Sequence, residues 1–199
     1  MVMDDQRQYL EQFADDVLGD PDANKVVDGV ALHWYGDGNT LPSLLTKIHE
    51  KFPDKFLLYT EACILSPPVL GSWADGDSYM RYIINILNNW VIGFVDWNMA
   101  LNPQGGPSWM GNSFGSPIIV SNTVDDKFIV PDSVIVGLNI ANLPANLEAV
   151  AALTPSGQKV IVLDNRDVAA NYTVSVYNDQ GSYVNLNLEA RSFTTLVFN

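Results

Sequence analysis

Phe56-Leu57-Leu58-Tyr59-Thr60-Glu61 is an apolar run, short enough for a single strand, that ends on a hydroxyl and a carboxylate. Upstream, Gly29 to Tyr35 reads as a buried strand closing on His33-Trp34-Tyr35, and downstream Val91 to Trp97 reads as a third, leading into Asp96-Trp97-Asn98. Helical patterns separate them. Gln6 to Leu18 places Leu10, Phe13, Ala14, Val17 and Leu18 on one stripe and stops at Gly19 and Pro21. Pro42 opens a second helix with Leu44, Leu45 and Ile48 inward. Tyr79 to Trp90 is a third, apolar at Tyr79, Ile83, Ile86, Leu87 and Trp90. Strands alternating with amphipathic helices predict parallel βα units. Polar and aromatic residues at the C-terminal ends of successive strands are how a βα barrel builds a site. A full barrel needs roughly 250 residues. Three complete strands are visible here, with Met1-Val2-Met3-Asp4 as the tail of another, so the expectation is the C-terminal half of a (β/α)8 barrel over residues 1–115.

From Ser116 the pattern changes to short β runs: Leu147–Leu153, Lys159–Leu163, Tyr172–Tyr177, Tyr183–Leu188 and Thr194–Phe198. Thr154-Pro155-Ser156-Gly157 and Asp179-Gln180-Gly181-Ser182 supply turn chemistry between them. Residues 116–199 therefore read as an antiparallel β domain.

With 47% hydrophobic and 17% charged residues, the 199-residue chain can bury a core and is not of disordered composition. Its 23 acidic against 10 basic residues give a net charge of −13, which repels phosphate backbones and argues against a nucleic-acid partner. The same charge suits an acidic compartment, where carboxylates partly protonate and repel one another less. The lone cysteine, Cys63, excludes an internal disulfide and a Cys-based zinc site, and His33 and His49 are not spaced as a metal pair. No apolar stretch is long enough to span a bilayer, and the N-terminus lacks the charged and apolar regions of a signal peptide. Gly105-Gly106-Pro107 is a loop without the lysine of a phosphate cradle, and Asn171-Tyr172-Thr173 matches the N-glycosylation sequon.

Glu61 is the residue most able to do chemistry. A carboxylate ending an apolar strand is solvated, salt-bridged or catalytic; glycosidases use such a group as nucleophile, with a second carboxyl about 5 Å away as acid/base. Trp34, Tyr35, Trp97 and Trp109 lie at strand ends or in the loops after them, where indole and phenol rings can stack on pyranose C–H faces; each taken singly is equally a core residue. Asp96 reads as a second acid, a loop anchor or a partner for Arg7. Cys63 reads as a packed thiol.

Asp4-Asp5-Gln6-Arg7, His33-Trp34-Tyr35, Thr60-Glu61-Ala62-Cys63, Asp96-Trp97-Asn98 through Leu101-Asn102-Pro103-Gln104-Gly105-Gly106-Pro107-Ser108-Trp109, and Ser116-Pro117-Ile118-Ile119-Val120 follow in the order seen in lysosomal glucosylceramidases. The chain resembles that family, glycoside hydrolase family 30, over residues 1–120, with a looser likeness through the β domain. The resemblance implies a (β/α)8 barrel followed by a β-sandwich, cleaving glucosylceramide to glucose and ceramide with retention. It implies Glu61 as the nucleophile and Tyr35, Cys63, Ser66, Trp97 and Asn112 as the substrate pocket. Asp5, Arg7 and His33 would form the supporting shell. It further implies no metal or other cofactor, a saposin-type activator, peripheral contact with a membrane, and a lysosomal location. Two departures stand out: the family's acid/base Asn-Glu-Pro segment does not occur in this sequence, and the stretch between Val130 and Leu147 is shorter than the family's. Two rival readings stay open, a non-catalytic sugar- or partner-binding descendant and a related retaining glycosidase acting on a polysaccharide.

Overall fold

A computed structural model describes residues 1–118, 134–178 and 180–199. Ile119, Val120 and the start of the shortened stretch at Val130 lie outside the described residues. The chain divides into two compact units: residues 1–76 with 85–118, and residues 77–84 with the described residues from 134 onward.

In the first unit, β1 (Val2–Gln6), β2 (Gly29–His33), β3 (Phe56–Glu61) and β4 (Val91–Phe94) form one parallel sheet in chain order. Val30, Leu32, Leu57, Tyr59 and Val91 are buried, each aliphatic one contributing about 1.5–3 kcal/mol. Gly29 lies opposite Phe56, and a Cβ on Gly29 would fall 2.4 Å from the Phe56 ring, so only glycine lets these two strands approach. After β1 come a 3-10 turn (Arg7–Tyr9), α1 (Leu10–Phe13) and a π turn (Ala14–Leu18), burying Leu10, Ala14 and Leu18 as the stripe predicts. The chain does not leave helical structure for good at Gly19-Asp20-Pro21. Asp20 accepts from the N–H groups of Asp22 and Ala23, and Pro21 takes the first position of α2 (Pro21–Val26), where its missing N–H costs nothing. The next helix, α3 (Ser43–Lys51), buries Leu45 and Ile48.

The helix expected over Tyr79–Trp90 is α4 (Trp73–Leu87), six residues earlier at its start and three shorter at its end. Ser72 Oγ accepts from Asp75 N–H at the start. Trp90, read as part of the apolar stripe, sits past the end at φ 68°, 58% exposed, stacked on His49.

The second unit holds β5 (Val134–Val136), β6 (Leu147–Leu153), β7 (Lys159–Asn165) and β10 (Ser192–Phe198) as an antiparallel sheet ordered β10-β7-β6-β5. β8 (Tyr172–Tyr177) and β9 (Tyr183–Leu188) form a separate hairpin. Leu147, Ala149, Ile161, Leu163 and Leu188 make its core, with Tyr172, Val174 and Val176 packed against them. Asn165 is fully buried and its amide donates to the carbonyls of Ala170, Leu188 and Glu189, fastening β7 to the hairpin ends.

Candidate active site

Glu61 is half-buried at the C-terminal end of β3. Its Oε1 accepts from the Tyr35 hydroxyl at 3.0 Å, and the same hydroxyl lies 3.3 Å from Cys63 Sγ. An ionised carboxylate only accepts, so the phenol proton points at Glu61 and the thiol donates to the phenol oxygen. Burial pushes the Tyr35 hydroxyl well above the ordinary phenol range, with Cys63 and Glu61 adding to the shift. Burial likewise raises Cys63 against the opposing pull of the Tyr35 hydrogen bond, with Asp96 and Glu61 adding to the rise. Both groups therefore keep their protons and remain donors near the carboxylate. Trp34 Nε1 donates to Cys63 O at 3.1 Å, which holds the segment after β3. Trp34 is 8% exposed and packs edge-on against Phe94, so this indole belongs to the core.

A bulge decides which acidic residue faces the β3 end. Met3 and Asp4 adopt φ of 79° and 62°, and the β1–β2 register slips between Met3 and Asp5. Bulges re-aim side chains, and non-glycine residues at positive φ are held there by their surroundings. Asp4 Oδ1 accepts from Thr60 Oγ1 at 2.7 Å and lies 3.0 Å from His33 Nε2. The Thr60 hydroxyl, then His33, hold the Asp4 carboxyl below the usual range. His33 meets Tyr35 edge-on at 6.2 Å, so the set runs from Asp4 through His33 to the Tyr35 ring beside Glu61. Asp5 is exposed and, among the described residues, caps only its neighbour's N–H, at Gln6.

Arg7 is not in the Glu61 cluster. All of its N–H groups are engaged elsewhere: Nη1 with Asp37 Oδ2 at 3.0 Å and Tyr59 Oη at 3.2 Å, Nη2 with the carbonyls of Asp37 and Thr40, Nε with Thr40 Oγ1. Its carboxylate partner is Asp37 rather than Asp96. Asp96 instead accepts from Asn98 N–H at 3.2 Å and faces Ser116 Oγ at 3.5 Å, anchoring the loop after β4.

The remaining expected pocket residues spread over two loops. Trp97 is half-buried; its backbone N–H donates to Ala62 O, and its ring meets Phe114 edge-on. Asn112 accepts from Ser108 Oγ. Ser66 is exposed after β3, and Trp109 is fully exposed. Among the described residues, no group of three His, Cys, Asp or Glu could hold a metal ion.

The family profile described as the glycosyl hydrolase family 30 TIM-barrel domain matches residues 1–136. The chain belongs to glycosyl hydrolase family 30. The family 30 β-sandwich profile follows at residues 132–196, so a barrel portion precedes a sandwich. The chain is similar to putative glucosylceramidase 4 of Caenorhabditis elegans, 36% identical over 218 aligned positions, covering 100% of this chain and 42% of the relative. It is also similar to the lysosomal acid glucosylceramidase of Mus musculus, 40% identical, covering 83% of this chain and 36% of that protein. The chain thus spans less than half the length of these family 30 relatives. Among solved structures, SrfJ from Salmonella typhimurium superposes with a TM-score of 0.82 at 26% identity, over 98% of this chain and 46% of that one.

Sequence reasoning missed three residues of this family 30 framework: Asp4, Thr60 and Asp37. Thr60 was visible as a polar strand end, and Asp4 as one of two adjacent acids, but neither pairing has a local signature. Asp37 lies thirty positions from Arg7 in a short 3-10 turn (Asp37–Asn39), and nothing in that turn announces a buried ion pair.

Proposed function

We propose that this chain supplies the nucleophile of a retaining β-glucosidase that hydrolyses glucosylceramide to glucose and ceramide. The observation that carries the proposal is the Tyr35–Glu61 contact. A carboxylate at a barrel-strand end, with one oxygen fixed by a protonated phenol, leaves its second oxygen to attack an anomeric carbon. Similarity to glucosylceramidases supports the aglycone. The covalent glycosyl-enzyme would form at Glu61, and a carboxylic acid would protonate the departing oxygen. No Asn-Glu-Pro segment occurs in these residues, so the proton donor is assigned to a segment this chain does not contain. Tyr35, Cys63, Ser66, Trp97 and Asn112 would line the sugar site, and Asp4 and His33 would steady the Tyr35 side of it. Exposed Leu65, Val69 and Leu70 after β3, with Met99, Trp109 and Met110 after β4, support contact with a lipid surface and a saposin-type activator. The net charge of −13 supports work in a lysosome-like acidic compartment.

The test joins this chain to a family 30 N-terminal half and treats it with cyclophellitol, whose strained epoxide lowers the demand for acid assistance. The label is expected on Glu61, and Glu61→Gln is expected to abolish labelling and turnover together, with a wild-type optimum below neutrality. An adduct mapped to Asp96, or glucosylceramide turnover surviving Glu61→Gln, would overturn the assignment. A xyloside preferred over a glucoside would move the substrate to a polysaccharide.

A further inference from the structure

One face of the β8–β9 hairpin differs from the rest of this acidic protein. Alternation along β8 turns Tyr172, Val174 and Val176 toward the core and leaves Asn171, Thr173, Ser175 and Tyr177 exposed. Across the hairpin, Thr173 pairs with Asn187, Ser175 with Asn185, and Tyr177 with Tyr183. Ser175 Oγ donates to Asn185 Oδ1 at 2.7 Å. The two tyrosine rings lie 5.2 Å apart, and each residue is 62% exposed. None of these residues is charged, in a chain whose net charge is −13. Such a row of hydroxyls and amides ending on two rings suits neutral sugar, which hydrogen-bonds through its hydroxyls and stacks through its C–H faces.

The same face begins with the one Asn-X-Ser/Thr sequence in the chain, Asn171-Tyr172-Thr173. Asn171 is exposed, and its Oδ1 accepts from Ala190 N–H at 2.8 Å. That bond fixes which end of the amide is which. The oxygen faces the backbone, and Nδ2, the atom that carries a glycan, has no hydrogen bond among the described residues. Thr173 lies on the same exposed side of the strand, about 7 Å along it.

We propose that Asn171 is an N-glycosylation site whose glycan lies along the uncharged β8–β9 face toward Tyr177 and Tyr183. The donor class is a lipid-diphosphate-linked oligosaccharide. Asn171 Nδ2 bonds to the anomeric carbon, the bond from that carbon to the diphosphate oxygen breaks, the lipid diphosphate leaves with the electron pair, and the amide gives up one proton. The inference rests on the secretory routing that a lysosomal location entails.

The test secretes the full chain from insect cells behind a cleavable leader, so modification is read whatever the natural route; that route is tested apart, by locating the protein in its own cells. Secreted and retained fractions are digested with peptide-N-glycosidase in heavy-oxygen water. A heavy-oxygen aspartate at position 171 is expected. Asn171→Gln and Thr173→Ala should both lose it; Thr173→Ala keeps Asn171 and its Ala190 bond, so loss there reads the sequon rather than the fold. An unmodified Asn171 in both fractions, beside a control glycoprotein modified in the same cells, overturns the site. Trimming the native glycoprotein is expected to raise nitration of Tyr177 and Tyr183 severalfold; unchanged nitration overturns the placement along the face.

Discussion

Asp37 in the first unit and Asp164 in the second are both buried, but the two units treat their carboxylates differently. Asp37 faces the Arg7 guanidinium at 3.0 Å and accepts from the Tyr59 hydroxyl through both oxygens, at 3.0 and 2.8 Å. Neither oxygen of Asp164 has a hydrogen-bond partner among the described residues. Its neighbours Asp77 and Glu148 carry the same sign, and Arg166 spends one nitrogen on Glu148 at 3.0 Å and on Ala145 O. Burial pushes Asp37 up to about 6 against the opposing pull of Arg7 and Tyr59. At Asp164, burial and then Asp77 and Glu148 push the carboxyl up to about 7, with only Arg166 opposing. Burial alone therefore does not say what an acid is for. Asp37 is part of a satisfied network that ties the Arg7–Tyr9 turn, β3 and the Asp37–Asn39 turn together, whereas Asp164 has no such network among the described residues and folds best with its proton on.

The most damaging way to break this contrast is to remove Arg7. Arg7→Met takes away the cation that opposes burial at Asp37, drives that carboxyl further toward its protonated form with one partner lost, and is expected to cost about 3–5 kcal/mol in denaturant unfolding. Asp164→Asn should act in the opposite sense. The folded acid titrates near 7 and the unfolded one near an ordinary aspartate, about 3.9. Between those values the native state holds a proton the unfolded chain has released, so stability is present at low pH and falls as pH rises through the window. Asp164→Asn removes that fall and is expected to raise stability at pH 7.5 by up to a few kcal/mol, with little change near pH 3.5. Melting temperatures across pH would read it, and an unaltered slope would refute it. A gentler change makes the first unit resemble the second. Tyr59→Phe takes the hydroxyl from between Arg7 and Asp37, costs about 1–3 kcal/mol, and carries the pH-dependent loss of stability to higher pH. The smallest effect concerns charges outside both buried sets. Asp5→Asn is expected to stay within about 0.5 kcal/mol, and Asp4→Asn to cost more than it in the same assay.

Parts of this were legible before any coordinates. β2 and β3 were readable because each is an apolar run with a polar end, and Glu61 because it terminates one of them. The Leu10, Ala14 and Leu18 stripe was readable from its spacing. The start of α4 was not, since Trp73-Ala74-Asp75-Gly76-Asp77 carries the polar and glycine content of a loop and is helical through context. The choice between Asp4 and Asp5 turned on a bulge. A register slip of one residue exchanges the faces of a strand, and no pattern in Met1 to Gln6 marks the slip. Arg7 was placed in the shell around Glu61 by the family resemblance, with Asp96 as a candidate partner; its actual partners, Asp37 and Thr40, become neighbours only once β1 and β2 pair.

The close approach of Gly29 to Phe56 has a genetic side. Glycine is encoded by two fixed bases and a free third, so every single-base change that substitutes another residue installs a side chain bearing a Cβ. At many glycines such a change is absorbed by open space, as at Gly38. At Gly29 each product drives a carbon into the ring of Phe56 on the paired strand, and the ring or the pairing of β2 with β3, the strand that presents Glu61, has to shift to admit it. Within a population, variation at this codon is expected to be confined to its third base.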